Sequence, residues 1–131
     1  MRLVLDTHLV VALLDPDRSS LATEHRRLLE DRRNVLLVST ASLWEIAIKA
    51  RLGKLRLEMS LEQVPAQLES ADISVLDIRP EHVLTAVNPP PPTKDPFDHL
   101  LLAVAKVEGA SLVTSDAKLV GHPQAWKPAS A

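Results

Sequence analysis

The chain has 131 residues, a net charge of -2 and a pI near 6.2, with no cysteine and with Trp44, Phe97 and Trp126 as its only aromatic residues. This length can bury a core without crosslinks, and the missing cysteine excludes disulfides, thiolate metal centres and cysteine nucleophiles. The weak negative charge and scarce aromatics exclude a basic field or a base-stacking platform, so any nucleic acid would have to be gripped locally. No segment is apolar for long enough to cross a bilayer, and Asp6 interrupts the N-terminal apolar run too early for a signal peptide. The expectation is a cytoplasmic protein with no membrane partner, folded as one domain over residues 1–131.

In chain order, Arg2 to Leu5 predicts a buried first strand closed by Asp6. Thr7 to Leu14 predicts a short helix stopped by Asp15-Pro16. Ser19-Ser20 are expected to cap a charged amphipathic helix to about Arg33, with Leu21, Leu28 and Leu29 inward and Glu24, Arg26, Arg27, Glu30 and Arg32 outward. Val35 to Val38 is a second strand, Ser39 opens a long helix through Leu52, and Gly53 stands where a helix-ending glycine belongs. Lys54 to Met59 is a linker or a small strand. Ser60 caps a helix over about 61–71, in which Pro65 marks a kink or the true start. Ile73 to Leu76 is the third strand, and a helix from Arg79-Pro80-Glu81 runs to about Val87. After the stiff connector of residues 89–92, Asp95 as cap and Pro96 launch a helix to about Glu108, ended by Gly109. Ser111 to Thr114 is the fourth strand, and the tail with Trp126 adds an edge strand or packs down. Strands alternating with helices imply crossover connections and a three-layer α/β/α sandwich around a parallel sheet of four or five strands.

Four acids, Asp6, Glu45, Asp98 and Asp116, stand at predicted strand ends or helix starts, positions that converge on one rim of an open α/β sheet. Carboxylates gathered there repel one another unless a hard cation lies between them. With no cluster of His or Cys beside them, the donors favour Mg2+ or Mn2+ over zinc, as one or two ions. Such an ion activates a water and offsets charge on a departing oxygen, which suits phosphodiester hydrolysis. Each acid also has a plainer reading. Asp6 can cap the Thr7 helix, and Asp116 can be turn chemistry. Glu45 can close a capping box with Ser42 or pair with Lys49 at i,i+4. Asp98 can favour the dipole of its helix. Thr7 is either close to a metal or simply in a first turn, and Lys49 either meets substrate or neutralises Glu45. His8, His25, His82 and His122 show no ligand spacing and are expected at the surface or half-buried. Arg26, Arg27, Arg32 and Arg33, with Arg51, Lys54 and Arg56, form solvated faces or contact a substrate or partner.

At these residues the chain resembles the PIN-domain nucleases, and among them the VapC-like toxins of type II toxin–antitoxin pairs. The likeness is carried by Leu3-Val4-Leu5-Asp6-Thr7-His8, by Ser39-Thr40-Ala41-Ser42-Leu43-Trp44-Glu45-Ile46-Ala47-Ile48-Lys49, by Asp95-Pro96-Phe97-Asp98-His99-Leu100-Leu101-Leu102-Ala103 and by Leu112-Val113-Thr114-Ser115-Asp116. It runs from residue 2 to about residue 126. The resemblance implies Mg2+ or Mn2+, cleavage of single-stranded RNA, a homodimer, and a small antitoxin inserted in the active-site groove. By position it places the acidic quartet on Asp6, Glu45, Asp98 and Asp116, and its two hydroxyls on Thr7 and Thr114. His99 departs from the family's usual arginine, and the proline connector is unusual beside the Asp-Pro-Phe-Asp block.

Two other classes compete with a metal-dependent endoribonuclease. A phosphotransfer domain wants an acidic pair at the first strand with a later lysine (a receiver), or an Asp-x-Asp (an aspartyl-phosphate phosphatase). Asp6-Thr7-His8 meets neither. A non-catalytic RNA-binding module of the same fold leaves the acids unexplained, because buried unpaired carboxylates are costly.

Overall fold

The computed structural model describes residues 1–128. Its strands β1 (Arg2–Leu5), β2 (Val35–Ser39), β3 (Ile73–Leu76) and β4 (Ser111–Val113) pair in parallel, in the order β3-β2-β1-β4. The α-helices are α1 (Thr7–Leu14), α2 (Thr23–Glu30), α3 (Thr40–Arg51), α4 (Val64–Ser70), α5 (Pro80–Leu84) and α6 (Pro96–Val107).

Strand periodicity sorts the core into two layers. Leu3, Leu5, Leu36, Val38 and Ile73 face one side with Leu9 and Val10 of α1, Leu28 of α2, Ile46 of α3 and Leu68 of α4. Val4, Leu37 and Leu112 face the other side, against Leu101, Leu102, Val104 and Ala105 of α6. The result is the expected α/β/α sandwich. Because β1 lies between β2 and β4, the chain leaves β1 in one direction and returns to its other flank only at β4. This reversal of strand order opens a crevice at the carboxyl ends of β1 and β4.

Local chemistry fixes the helix ends. Asp95 accepts from the Phe97 N–H at 2.9 Å with Pro96 in the first turn of α6. Gly53 ends α3 at φ 74°, a left-handed conformation that costs glycine little, and lets the Lys54 N–H reach the Lys49 carbonyl at 2.9 Å.

Several boundaries differ from the sequence expectation. Helix α2 begins at Thr23 behind Ala22, because residues 15–20 are occupied by turns in which Asp15 and Asp17 accept backbone N–H groups. Leu21 is buried, but from the segment ahead of that helix. Residues 54–59 form no strand. Ser60 and Gln63 close a capping box over a short 3-10 turn, and Pro65 then sits in the first turn of α4, marking its start. Helix α5 stops at Leu84, with the Thr85 hydroxyl turned back onto the Glu81 carbonyl. Strand β4 stops at Val113. The tail adds a single parallel bridge, Leu112 to Ala125, beside it.

Leu102 is fully buried between α6 and the sheet. Leu102→Ala is expected to destabilise the fold by about 2–5 kcal/mol in urea unfolding. The exposed Leu84→Ala should stay within about 0.5 kcal/mol of the parent.

Candidate active site at the carboxyl rim of the sheet

Asp6 ends β1 and caps α1, and it is nearly inaccessible to solvent. One carboxylate oxygen accepts the Thr7 N–H at 2.7 Å; the other accepts the Thr114 hydroxyl, from the end of β4, at 2.6 Å. That hydroxyl also accepts the Asp116 N–H at 3.0 Å, so one threonine couples two of the candidate acids. Asp116 in turn accepts the Lys118 N–H at 2.9 Å and starts the turn through Leu119, which fulfils its plainer role as well.

Glu45 lies in the second turn of α3 and not at its start, a correction to the sequence reading. Side chains on a helix tilt toward its N-terminus, here the end at the rim. Glu45 is buried and pairs with Lys49 at 2.8 Å, so the i,i+4 pair exists. The capping box with Ser42 does not. Ser39 caps α3 through the Ala41 N–H at 3.1 Å, and Ser42 is fully buried inside the helix, where it accepts the Thr7 hydroxyl at 2.9 Å. Thr7 and Ser42 thus bolt α1 to α3 beneath the rim.

Asp98 is the third residue of α6 and half-buried. Its partner is Thr93, a residue absent from the sequence-level candidates. The Thr93 hydroxyl donates to Asp98 at 3.0 Å and accepts the Asp95 N–H at 3.1 Å, while its carbonyl accepts His99 Nε2 at 2.7 Å. His99 therefore holds the loop that holds Asp98. The only sequence signal for this was a hydroxyl two residues before a capping aspartate, the spacing of a side-chain turn.

The acids feel one another. Burial raises Asp6 above its usual 3.8, Thr114, His8 and the Thr7 N–H oppose this, and Glu45 adds to it. Burial also raises Asp98, against the Thr93 hydrogen bond, with Asp95, Asp6 and Asp116 each contributing. Among the described residues, no group of three His, Cys, Asp or Glu side chains is set to hold a metal ion by itself. The donor chemistry nonetheless suits a hard cation: every candidate ligand atom is a carboxylate oxygen, and a bound cation would favour the charged forms that burial opposes at Asp6 and Asp98. Magnesium needs only one or two carboxylates and keeps the rest of its shell as water.

The remaining histidines differ from expectation. His8 is exposed, but His25, His82 and His122 are buried. His82 meets Glu108 at 2.8 Å, His122 donates to the Pro89 carbonyl at 2.7 Å, and His25 lies edge-on to Trp126 at 5.9 Å. Their partners are remote in sequence, which hid the burial.

A parallel sheet with acids at its switch point defines a class of α/β domains with a rim site. Residues 3–121 match the PIN domain family model, and the chain belongs to that family. Ribonuclease VapC16 of Mycobacterium tuberculosis is 44% identical over 64 residues, which is 48% of this chain and 44% of that relative. VapBC2 from Rickettsia felis, solved bound to a DNA fragment from their promoter, shares the fold with a TM-score of 0.57 at 19% identity, over 95% of this chain and 96% of that one. A domain of a functionally unknown Methanocaldococcus jannaschii protein does so with a TM-score of 0.54 at 20% identity, over 99% and 92% of the two chains.

A carboxylate whose native pKa is raised costs stability once ionised. The cost is absent below the unfolded value of 3.8 and complete above the raised native value. Asn can still cap α1. Asp6→Asn is therefore expected to raise the melting temperature of EDTA-treated protein at pH 7, with the gap to the parent closing as pH falls toward 3.8. A gap that widens on acidification would contradict the sign assigned to Asp6.

Proposed function

We propose that this chain is a Mg2+- or Mn2+-dependent endoribonuclease acting on single-stranded or loop RNA, the toxin of a toxin–antitoxin pair, working in the cytoplasm as a single domain. The observation that carries the reading is the Thr114 hydroxyl that joins Asp6 to Asp116 at the β1/β4 switch point of a PIN fold. The partial likeness to a VapC ribonuclease supports the choice of RNA.

In this reading Asp6, Asp98 and Asp116 hold the cation, with Glu45 beside them. When bound, the ion supplies an activated water and neutralises charge on the leaving oxygen. The protein's own groups position the acids. Thr114 fixes the unprotonated form of Asp6 by donating to it, Thr93 does the same for Asp98, and Lys49 balances Glu45. The Thr7–Ser42 bond keeps Asp6 and Glu45 on one rigid frame. Lys49 is engaged with Glu45, and the residue after β4 is Thr114; a receiver would need a lysine there, so the phosphotransfer alternative has no matching part.

An antitoxin and a second copy of the chain are the proposed partners. Trp44, 61% exposed, meets Phe97 edge-on at 5.6 Å. Together with Ile48, Pro96 and Leu100 they line an apolar cleft of about 190 Å3 between α3 and α6, the helices that carry Glu45 and Asp98. Such a cleft suits an apolar anchor of an inserted antitoxin segment.

Asp6→Asn and Asp98→Asn are each expected to lower kcat/KM for RNA by a factor equivalent to about 3 kcal/mol or more with the fold retained, and EDTA should abolish cleavage. Full activity in both variants, or indifference to EDTA, removes the mechanism. Expression in a bacterial host should arrest growth, and co-expression of the antitoxin encoded beside it should relieve the arrest. Harmless accumulation of folded, RNA-cutting protein would refute the toxin role alone.

A further inference from the structure

A second cavity, of about 220 Å3, is lined by residues of α1, of the segment ahead of α2 and of the turn after β4. Its walls include His8, Ser20, His25 and Ser115, over a floor of Leu9 and Ala12. Two of these residues fix where it opens. His8 follows the Asp6-Thr7 pair and is close enough to act electrostatically on Asp6, and Ser115 separates Thr114 from Asp116. The cavity therefore adjoins the acid rim. We infer that it receives a nucleobase of the RNA chain next to the cleaved phosphate. The inference rests on the ribonuclease reading and assigns that site a base-reading pocket.

The lining selects the occupant. No Lys or Arg contributes to the wall, and His8 in that wall lies within electrostatic reach of Asp6, so a phosphate entering alone would find no lysine or arginine to offset its charge. A neutral planar heterocycle fits better. Leu9 and Ala12 offer apolar surface for its face. The imidazoles and hydroxyls offer donors and acceptors for its edge, the combination by which unstacked RNA bases are recognised. His25 is itself buried, and its ring is braced edge-on by Trp126 at 5.9 Å, so it forms a fixed wall. The Trp44 cleft fails the same test. Its lining of Trp44, Ile48, Pro96, Phe97 and Leu100 offers a base edge nothing to bond, and buried polar groups left unpaired are costly.

The test uses the full chain treated with EDTA and titrated with each of the four nucleoside monophosphates and with inorganic phosphate. The imidazole proton signals of His8 and His25 are followed by NMR. At least one nucleotide is expected to shift both signals saturably, and phosphate is expected to shift neither. Ser20→Leu narrows the mouth from an exposed loop, and His25→Leu removes the wall. Each should weaken the best nucleotide at least about fivefold, the low end for loss of one base contact. End-sequencing of cut RNA should then show Ser20→Leu relaxing base preference at one position beside the cut. Three results would overturn the pocket: no shift from any nucleotide, equal binding of phosphate alone, or unchanged nucleotide affinity in folded Ser20→Leu protein. Nucleotide binding with no cleavage of any RNA would instead sink the nuclease reading and, with it, the placement beside a cut phosphate.

Discussion

The hydroxyl of Thr114 against the carboxylate of Asp6 is the contact on which the rest of the rim depends. It joins the ends of β1 and β4 across the point where the strand order reverses. The same hydroxyl takes the Asp116 N–H, so the turn after β4 is registered on β1 and not merely on its own strand. On the other flank of Asp6, the Thr7–Ser42 bond registers α3, and with it Glu45. Helix α6 is the least directly tied. Asp98 reaches the rim through its own helix and through Thr93, which His99 holds by the carbonyl. Short neutral donors thus do most of the positioning, each worth about 1.5–3 kcal/mol when it meets a charged group.

These contacts only partly offset a standing cost. Asp6 and Asp98 resist ionisation because they are withdrawn from water and because other acids face them. A fold selected for stability alone would place amides or apolar groups here, and strain of this kind concentrates at sites of chemistry. The rest of the protein is built conventionally, with two apolar layers and satisfied polar groups; among the described residues no buried side-chain nitrogen or oxygen lacks a partner. The conflict between local stability and charge is therefore confined to one edge of the sheet.

Much of this was legible in order and spacing. Short, largely apolar segments between turn and cap residues mark all four strands, and the Asp95-Pro96 and Ser39 caps mark the starts of α6 and α3. What escaped were contacts between distant segments. Ser42 looked like a cap because its spacing to Glu45 matches one, yet its partner is Thr7, 35 residues away. His82 and His122 read as surface or half-buried because Glu108 and Pro89, which bond them, carry no local signal. Thr93 carries no such mark, because a threonine in a proline-rich loop has no periodicity. The start of α2 differs for a simpler reason: Ser19-Ser20 are good caps, but Asp15 and Asp17 hold the backbone there in turns.

The strand order has a consequence for synthesis. The Asp6–Thr114 bond spans 108 residues, and β1 sits in the middle of the sheet with β4 on one side of it. A growing chain that has released β1, β2 and β3 from the ribosome still lacks the wall that shapes the crevice. Contacts this distant in sequence also form slowly once both partners are free. The rim is therefore completed only once β4 has joined the sheet, so a chain truncated ahead of Ser111 would leave Asp6 without the Thr114 hydroxyl that holds it.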